Sequence, residues 1–182
     1  MLSKTQSFSK LPAVLNLGQR MNAQMRACAT WATIEEHDKI LDMACGDGTL
    51  LRFFNDRYRV NLCGICDAPE QARAVREQLD DADVIYGQME DIPWRNDTFD
   101  ALLLSAAIRG DGHRVMEEAY RVLRTGGQLV MSMPLFSVLQ EGDLSRREVM
   151  RIMQEAGFQE VSFRTSGLYG AVVGWKKKDM SA

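Results

Sequence analysis

"KILDMACGDGTLLRFF", residues 39–54, decides the fold. A short apolar run, Ile40–Ala44, enters a loop of small residues and leaves as a helical pattern. A strand that passes into a helix through a glycine-bearing loop opens a doubly wound α/β sheet. Such sheets bind ligands beyond the carboxyl ends of their strands, at this junction. Small residues let the backbone approach a ligand that a Cβ would hold off. A dinucleotide loop needs G-x-G-x-x-G, and here Leu51 stands where the third glycine is required. A phosphate-cradling loop needs a lysine after its second glycine, and none follows Gly48. Asp42 and Asp47 beside the loop suit a ligand bearing positive charge better than a polyphosphate.

Outward from this loop the pattern repeats. Further apolar runs occupy 60–66, 84–86, 101–107 and 129–133, and helical patterns separate several of them. Residues 67–79 open with Asp67 and Glu70 spaced as a capping box. Residues 111–127 place Val115, Met116, Ala119, Val122 and Leu123 on one face, and Gly126 is the expected stop. Residues 144–158 carry Ser145 and Glu148 as a second capping box. Two strand patterns, 160–165 and 169–175, close the chain as a hairpin. The order predicts a Rossmann-like doubly wound sheet of about seven strands, mainly parallel, with an antiparallel C-terminal strand and helices on both faces. Residues 1–38 are expected to form a helical arm or lid, and 39–178 a single core. In the arm, Leu11, Val14, Leu15, Gly18, Met21, Met25, Cys28 and Ala32 share one helical face, with Pro12 suited to the first turn.

With 182 residues, 46% hydrophobic and 26% charged, the chain can bury a full core without disulfides. The run Ala101–Ile108 is far too short to span a membrane. A net charge of −3 speaks against nucleic acid as the main partner. Residues 1–34 hold Lys4, Lys10, Arg20 and Arg26 and no acid. That composition fits an organelle transit peptide as well as a packed basic helix, the latter implying a cytoplasmic protein. Cys63 and Cys66 form a C-x-x-C, but no second close pair completes a zinc site. On a strand, positions three apart face opposite sides. No metal is expected, and Cys28, Cys45, Cys63 and Cys66 are expected as reduced thiols, with a C-x-x-C metal or redox protein as a minor alternative.

"ILDMACGDG" resembles the first motif of class I S-adenosylmethionine-dependent methyltransferases, and its Ala-Cys-Gly form is similar to the ubiquinone and menaquinone biosynthesis branch. "GQMEDIPWRNDTFDALLLS" (87–105), "EEAYRVLRTGGQLVMSMP" (117–134), "LSRREVMRIMQEAGF" and the closing "VVGWKK" resemble further motifs of that family, in the same order. The resemblance spans roughly residues 39–176. It implies S-adenosylmethionine as cofactor, a ligand with an ammonium, a sulfonium and no phosphate, and methyl transfer to a small molecule. It also implies roles for individual residues. The backbone at Ala44, Cys45 and Gly46 would run under the methionine part, with Gly48 completing the turn. Asp42 would orient the loop or reach the ammonium. Ser105 would offer backbone to the amino-acid part, and Gln88, Met89 and Glu90 would lie near the adenine.

Three positions depart from the family pattern. The acid that grips the ribose hydroxyls is replaced by Cys66, with Asp67 one residue late; Asp67 reads equally as a helix cap. Gln88 replaces an aspartate, and its amide oxygen can still accept from an adenine amino group. Ala106-Ala107-Ile108-Arg109 replaces a polar His-His rim. These changes keep open a catalytically degenerate fold serving as a binding or partner module. Asp42 has an alternative reading as a loop brace, and Gly46 and Gly48 as a plain turn. Met21 and Met25 read as core packing before acceptor wall, Arg20 and Arg26 as a solvated face, and Lys176–Lys178 as a solvated tail. His37 and His113 are the only histidines, and neither sits where a base is expected, so no catalytic residue is named. The oligomeric state and the acceptor are not written in the sequence.

Overall fold

The computed structural model describes residues 21–108, 110–134, 144–166 and 169–177. Its elements, in chain order, are α1 (Ala23–Trp31), β1 (Lys39–Asp42), α2 (Thr49–Asn55), β2 (Asn61–Cys66), α3 (Pro69–Arg76), β3 (Asp83–Tyr86), β4 (Phe99–Leu104), α4 (Gly112–Val122), β5 (Leu123–Pro134), α5 (Arg146–Glu155), β6 (Gln159–Ser166) and β7 (Tyr169–Trp175). The seven strands form one sheet in the order β3-β2-β1-β4-β5-β7-β6. β1 through β5 pair in parallel, and β7 lies antiparallel between β5 and β6. The predicted doubly wound sheet with its antiparallel closing strand is what the chain forms.

Strand residues alternate between two cores because successive side chains point to opposite faces. Ile40, Cys66, Leu103, Val130 and Val173 pack with Cys28, Leu51, Phe54 and Val75 from α1, α2 and α3. Leu41, Cys63, Leu102, Met131 and Val172 pack on the other face with Val115, Met116, Val149 and Met153 from α4 and α5. β1 lies third in this order, and the chain runs outward to β3 before returning to β4 on β1's other side. The strand order therefore reverses between β1 and β4, which sets the binding crevice at their carboxyl ends.

Several local expectations change. The capping box at Ser145 and Glu148 forms. The one at Asp67 does not: Ala68 is the N-cap of α3 and makes no side-chain cap bond, because Pro69 begins the helix one residue later than the box requires. α4 ends at Val122, not at Gly126. Leu123 turns straight into β5, since its backbone pairs with Phe99, while Gly126 and Gly127 pair with Lys176. Lys176 is no solvated tail; its Nζ donates to Asp97 Oδ1 at 2.8 Å and to the Tyr120 carbonyl at 2.9 Å. Lys177 pairs with Glu160. Leu11, Pro12, Val14, Leu15, Gly18, Arg20, Arg109 and Lys178 lie outside the described residues. Met21 is buried and Met25 packs against the same core, so both serve packing.

Candidate functional site

At the carboxyl end of β1 the chain folds sharply over the next strand. The Cys45 amide donates to the Ile65 carbonyl at 2.9 Å, and the Gly48 amide closes a turn onto the Cys45 carbonyl at 2.8 Å. Asp42 is buried, and its Oδ1 accepts from the Ala44 amide at 3.2 Å. Burial pushes the Asp42 carboxyl up to about 7; the nearby Asp47 charge adds to the rise and the Ala44 amide opposes it. Asp47 accepts from the Thr49 amide at 3.0 Å and thereby fixes the start of α2. Arg52 clasps the same turn, donating to the Asp47 carbonyl and to Gln78.

The two loop glycines have different jobs. Gly48 has φ 75°, and a Cβ there would lie 2.8 Å from Val75 Cγ1. It is demanded by both backbone and packing. Gly46 has φ 51°, but a Cβ there would meet nothing within 4 Å. Its bare backbone faces open space. That is the surface a ligand needs for close approach to main chain.

Cys45 and Cys66 form a disulfide, with Cα atoms 5.4 Å apart. This corrects the expectation of four reduced thiols. The C-x-x-C partner Cys63 faces the opposite core and is free, as is Cys28. The pairing follows from topology: β1 and β2 are parallel neighbours, so the loop after β1 and the last residue of β2 arrive at one edge. Gly64 leaves the room, since a Cβ on it would sit 3.1 Å from Cys45 Sγ. Cys66 therefore ends β2 with its sulfur turned into the core. Asp67, freed from capping, is exposed beside it at the end of β2.

The loop after β3 forms the far side of the crevice. Gln88 is exposed, Met89 packs against the core, and Glu90 is half-buried with its carbonyl accepting from Arg114 Nε at 3.1 Å. Gly110, with φ 103°, admits the Glu90 carboxylate: a Cβ there would stand 2.6 Å from Oε1. Ser105 is buried at the end of β4. Asp42, Ala44, Cys45, Gly46, Gly48, Cys66, Asp67 and Ser105 thus gather at neighbouring strand ends, with Gln88, Met89 and Glu90 on the adjoining loop.

Two residues the sequence reading passed over hold that loop. Glu118 on α4 is buried; its Oε2 accepts from the Ile92 amide at 2.9 Å and from Arg121 at 2.7 Å. Arg121 goes on to the carbonyls of Ile92 and Trp94 and to Asn96 Oδ1. The hydrogen bonds from Arg121 hold the Glu118 carboxyl below its usual range. The signal was present: Glu118 and Arg121 are three apart on a helix, and Glu118 interrupts an apolar face.

A seven-stranded, doubly wound sheet with an antiparallel seventh strand and a small-residue loop at its switch point defines the class I methyltransferase architecture. Residues 41–131, half of the chain, match the methyltransferase domain family, and the protein belongs to that family. It is 30% identical over 146 residues to 2-methyl-6-phytyl-1,4-hydroquinone methyltransferase 1, chloroplastic, of Oryza sativa subsp. japonica, covering 71% of this chain and 43% of that protein. It is 25% identical over 130 residues to the demethylmenaquinone methyltransferase of Thermotoga maritima, covering 69% of this chain and 56% of that protein. The chain spans about half the length of these curated relatives. Among solved structures, geranyl diphosphate methyltransferase in complex with SAM superposes with a TM-score of 0.70 at 17% identity, covering 84% of each chain. At that identity the likeness is one of fold. Among the described residues, no helix is long and apolar enough to cross a membrane.

Proposed function

We propose that this protein is an S-adenosylmethionine-dependent methyltransferase acting on a small molecule with an aromatic, quinone-like ring. The observation that carries this reading is the bare backbone at Gly46, where a Cβ would meet nothing within 4 Å, whereas Gly48 in the same loop is packed against Val75. The residues present fit the cofactor. Asp47 and Asp67, both exposed, with the buried Asp42 behind the loop, suit a cationic ligand and not a diphosphate. Ala44, Cys45 and Gly46 would hold the methionine part, with Gly48 fixing the turn. Ser105 would offer backbone to the amino-acid part, and Asp67 a carboxylate to the ribose in place of Cys66. Gln88, Met89 and Glu90 would border the adenine.

The bound cofactor would supply a methyl group on a sulfonium, which leaves as a neutral thioether. The chain's own task is then to align the acceptor and exclude water. The backbone of Ala44–Gly46 would fix one reactant against the sheet edge. Residues 1–38 would act as an arm over the acceptor side; within it, α1 packs across β5, β6 and β7. No general base is assigned. His37 precedes β1, at the sheet edge away from the crevice, and its amide bonds to the Arg59 carbonyl. His113 Nδ1 faces Glu155 at 3.6 Å. An acceptor that needs no deprotonation, such as an electron-rich ring carbon, fits this arrangement.

A cationic ligand beside Asp42 favours its charged form and drives the carboxyl's proton off. Binding of S-adenosylmethionine near pH 7 should therefore release a proton, seen as a calorimetric heat that changes with the ionisation enthalpy of the buffer. Absence of any heat with the cofactor or its demethylated product would remove the reading. A cytoplasmic setting, with a small-molecule acceptor and no nucleic-acid partner, belongs to the same proposal.

A further inference from the structure

The disulfide between Cys45 and Cys66 joins the glycine loop to the strand end beside it. Their Cα separation of 5.4 Å lies in the range that a disulfide bridges without moving the backbone. Cys66 is the fixed partner: it ends β2, and its carbonyl accepts from the Gly87 amide at 3.0 Å. Cys45 belongs to the loop, tied through its amide to Ile65 and through its carbonyl to the Gly48 amide.

Both sulfurs are buried, at 1% and 0% exposure for the two residues. A bonded pair sits about 2.05 Å apart. Unbonded heavy atoms need about 3.5–4.0 Å. Reduction must therefore open the pair by roughly 1.5 Å or more. Inward the space is taken, because Cys45 rests on Gly64 and Leu51 lies against the same glycine. The open side is at Gly46, whose carbonyl is 3.7 Å from Cys66 Sγ and whose Cα faces empty space. Relief runs outward, through the loop, into the ligand crevice.

We propose that Cys45 and Cys66 are a thiol–disulfide site whose oxidised state holds the glycine loop ready for the adenosyl ligand and whose reduction weakens binding. This rests on the cofactor reading given above. The oxidant is a small-molecule disulfide, RSSR. The Cys45 thiolate, on the loop that opens, attacks one sulfur of RSSR; the RS–SR bond breaks and one RS⁻ leaves. The Cys66 thiolate then attacks the Cys45 sulfur of the mixed disulfide, the protein disulfide forms, and the second RS⁻ leaves. Two protein thiols lose two electrons and two protons, and RSSR takes them up as two RSH. Cys28 and Cys63 stand aside from this chemistry: burial pushes their thiols up to about 12 and about 11, which leaves them protonated and inert.

Coupling between two equilibria is reciprocal, so a ligand that prefers the oxidised state must also resist its reduction. A tenfold preference corresponds to about 30 mV for a two-electron couple. The test uses the full chain equilibrated in buffers of reduced and oxidised dithiothreitol, with and without S-adenosylhomocysteine. Alkylation and peptide mass mapping read the Cys45–Cys66 link, and calorimetry reads affinity in each redox state. The expected result is a Cys45–Cys66 cross-linked peptide, affinity about tenfold weaker after reduction, and a midpoint about 30 mV lower with ligand present. A Cys66→Ser chain should bind at the reduced level in every buffer. Two alkylatable thiols at 45 and 66 under fully oxidising conditions would overturn the site. Equal affinity in the two states would overturn the coupling while leaving the cofactor reading intact. No binding in either state would overturn both.

Discussion

The loops that follow β1 and β3 are held in place by different means. The loop after β1 is fixed by glycine backbone, a disulfide and a buried carboxyl that resists ionising. The loop after β3 is fixed by an ion pair, Glu118 with Arg121, whose hydrogen bonds favour ionisation. The first relies on backbone geometry and a cross-link, with Asp47 and Arg52 fastening the turn at the start of α2. The other is held by charge. The difference shows how neighbouring loops of one sheet can be fixed independently, the first through its own backbone and the second from behind, through α4.

The largest expected effect comes from breaking the ion pair. Glu118→Ala leaves Arg121 without its partner and the Ile92 amide without its acceptor, a loss of about 3 kcal/mol. The melting temperature should fall by about 6–12 °C. A fall of only a degree or two in a thermal scan would mean that the loop after β3 is held by something else.

Next come the glycines, which separate stability from binding within one loop. Gly48→Ala meets Val75 and a left-handed backbone, at a cost of about 2–3 kcal/mol in chemical denaturation. Gly46→Ala carries the backbone strain alone, about 1 kcal/mol. Its Cβ would project into the crevice, so cofactor affinity should fall at least tenfold. Equal behaviour of the two variants in both measurements would erase the distinction between a packed turn and an open cradle.

The pH dependences contributed by Asp42 and Glu118 should run in opposite directions. The folded Asp42 carboxyl keeps its proton up to about pH 7, whereas the unfolded chain releases it near pH 4. Over that window the folded state holds more protons, so this group's contribution to stability falls as pH rises. Asp42→Asn should remove the fall and raise the melting temperature of the ligand-free protein at pH 8 by about 3 °C or more. Glu118 has the reverse sign. Its folded carboxyl titrates below the usual range, so its stabilisation is full at neutral pH and is lost as pH drops below about 4.5. Melting curves of the two variants against pH from 4 to 8 would show both trends.

The smallest effect concerns Asp67. It is exposed and caps nothing, so Asp67→Asn should leave the melting temperature within about 1 °C of the parent. Cofactor affinity should fall several-fold. A stability loss without a change in affinity would return the residue to a structural role.

The sheet was legible in the sequence because its strands announce themselves as apolar runs between helical patterns. The loop at 44–48 was legible because missing glycines and lysines exclude the pyrophosphate binders. The two readings of Asp67 stayed open in the sequence because Asp-x-x-Glu spacing carries no information on where Pro69 starts the helix. Gly126 was misread as a helix stop because its pairing with Lys176 depends on a strand fifty residues away. Cys45 and Cys66 escaped for the same reason: twenty-one residues separate them, and only the parallel neighbourhood of β1 and β2 brings them together. Glu118 was not legible because the Ile92 amide that it accepts from lies twenty-six residues away in the chain.

Titrating the full chain with S-adenosylhomocysteine in a calorimeter, beside the Gly46→Leu variant, bears most directly on the cradle at Gly46. One-site binding by the parent chain, abolished by the leucine while the fold persists by circular dichroism, is the predicted result. Unchanged binding by the variant, or none by the parent at millimolar ligand, would contradict it.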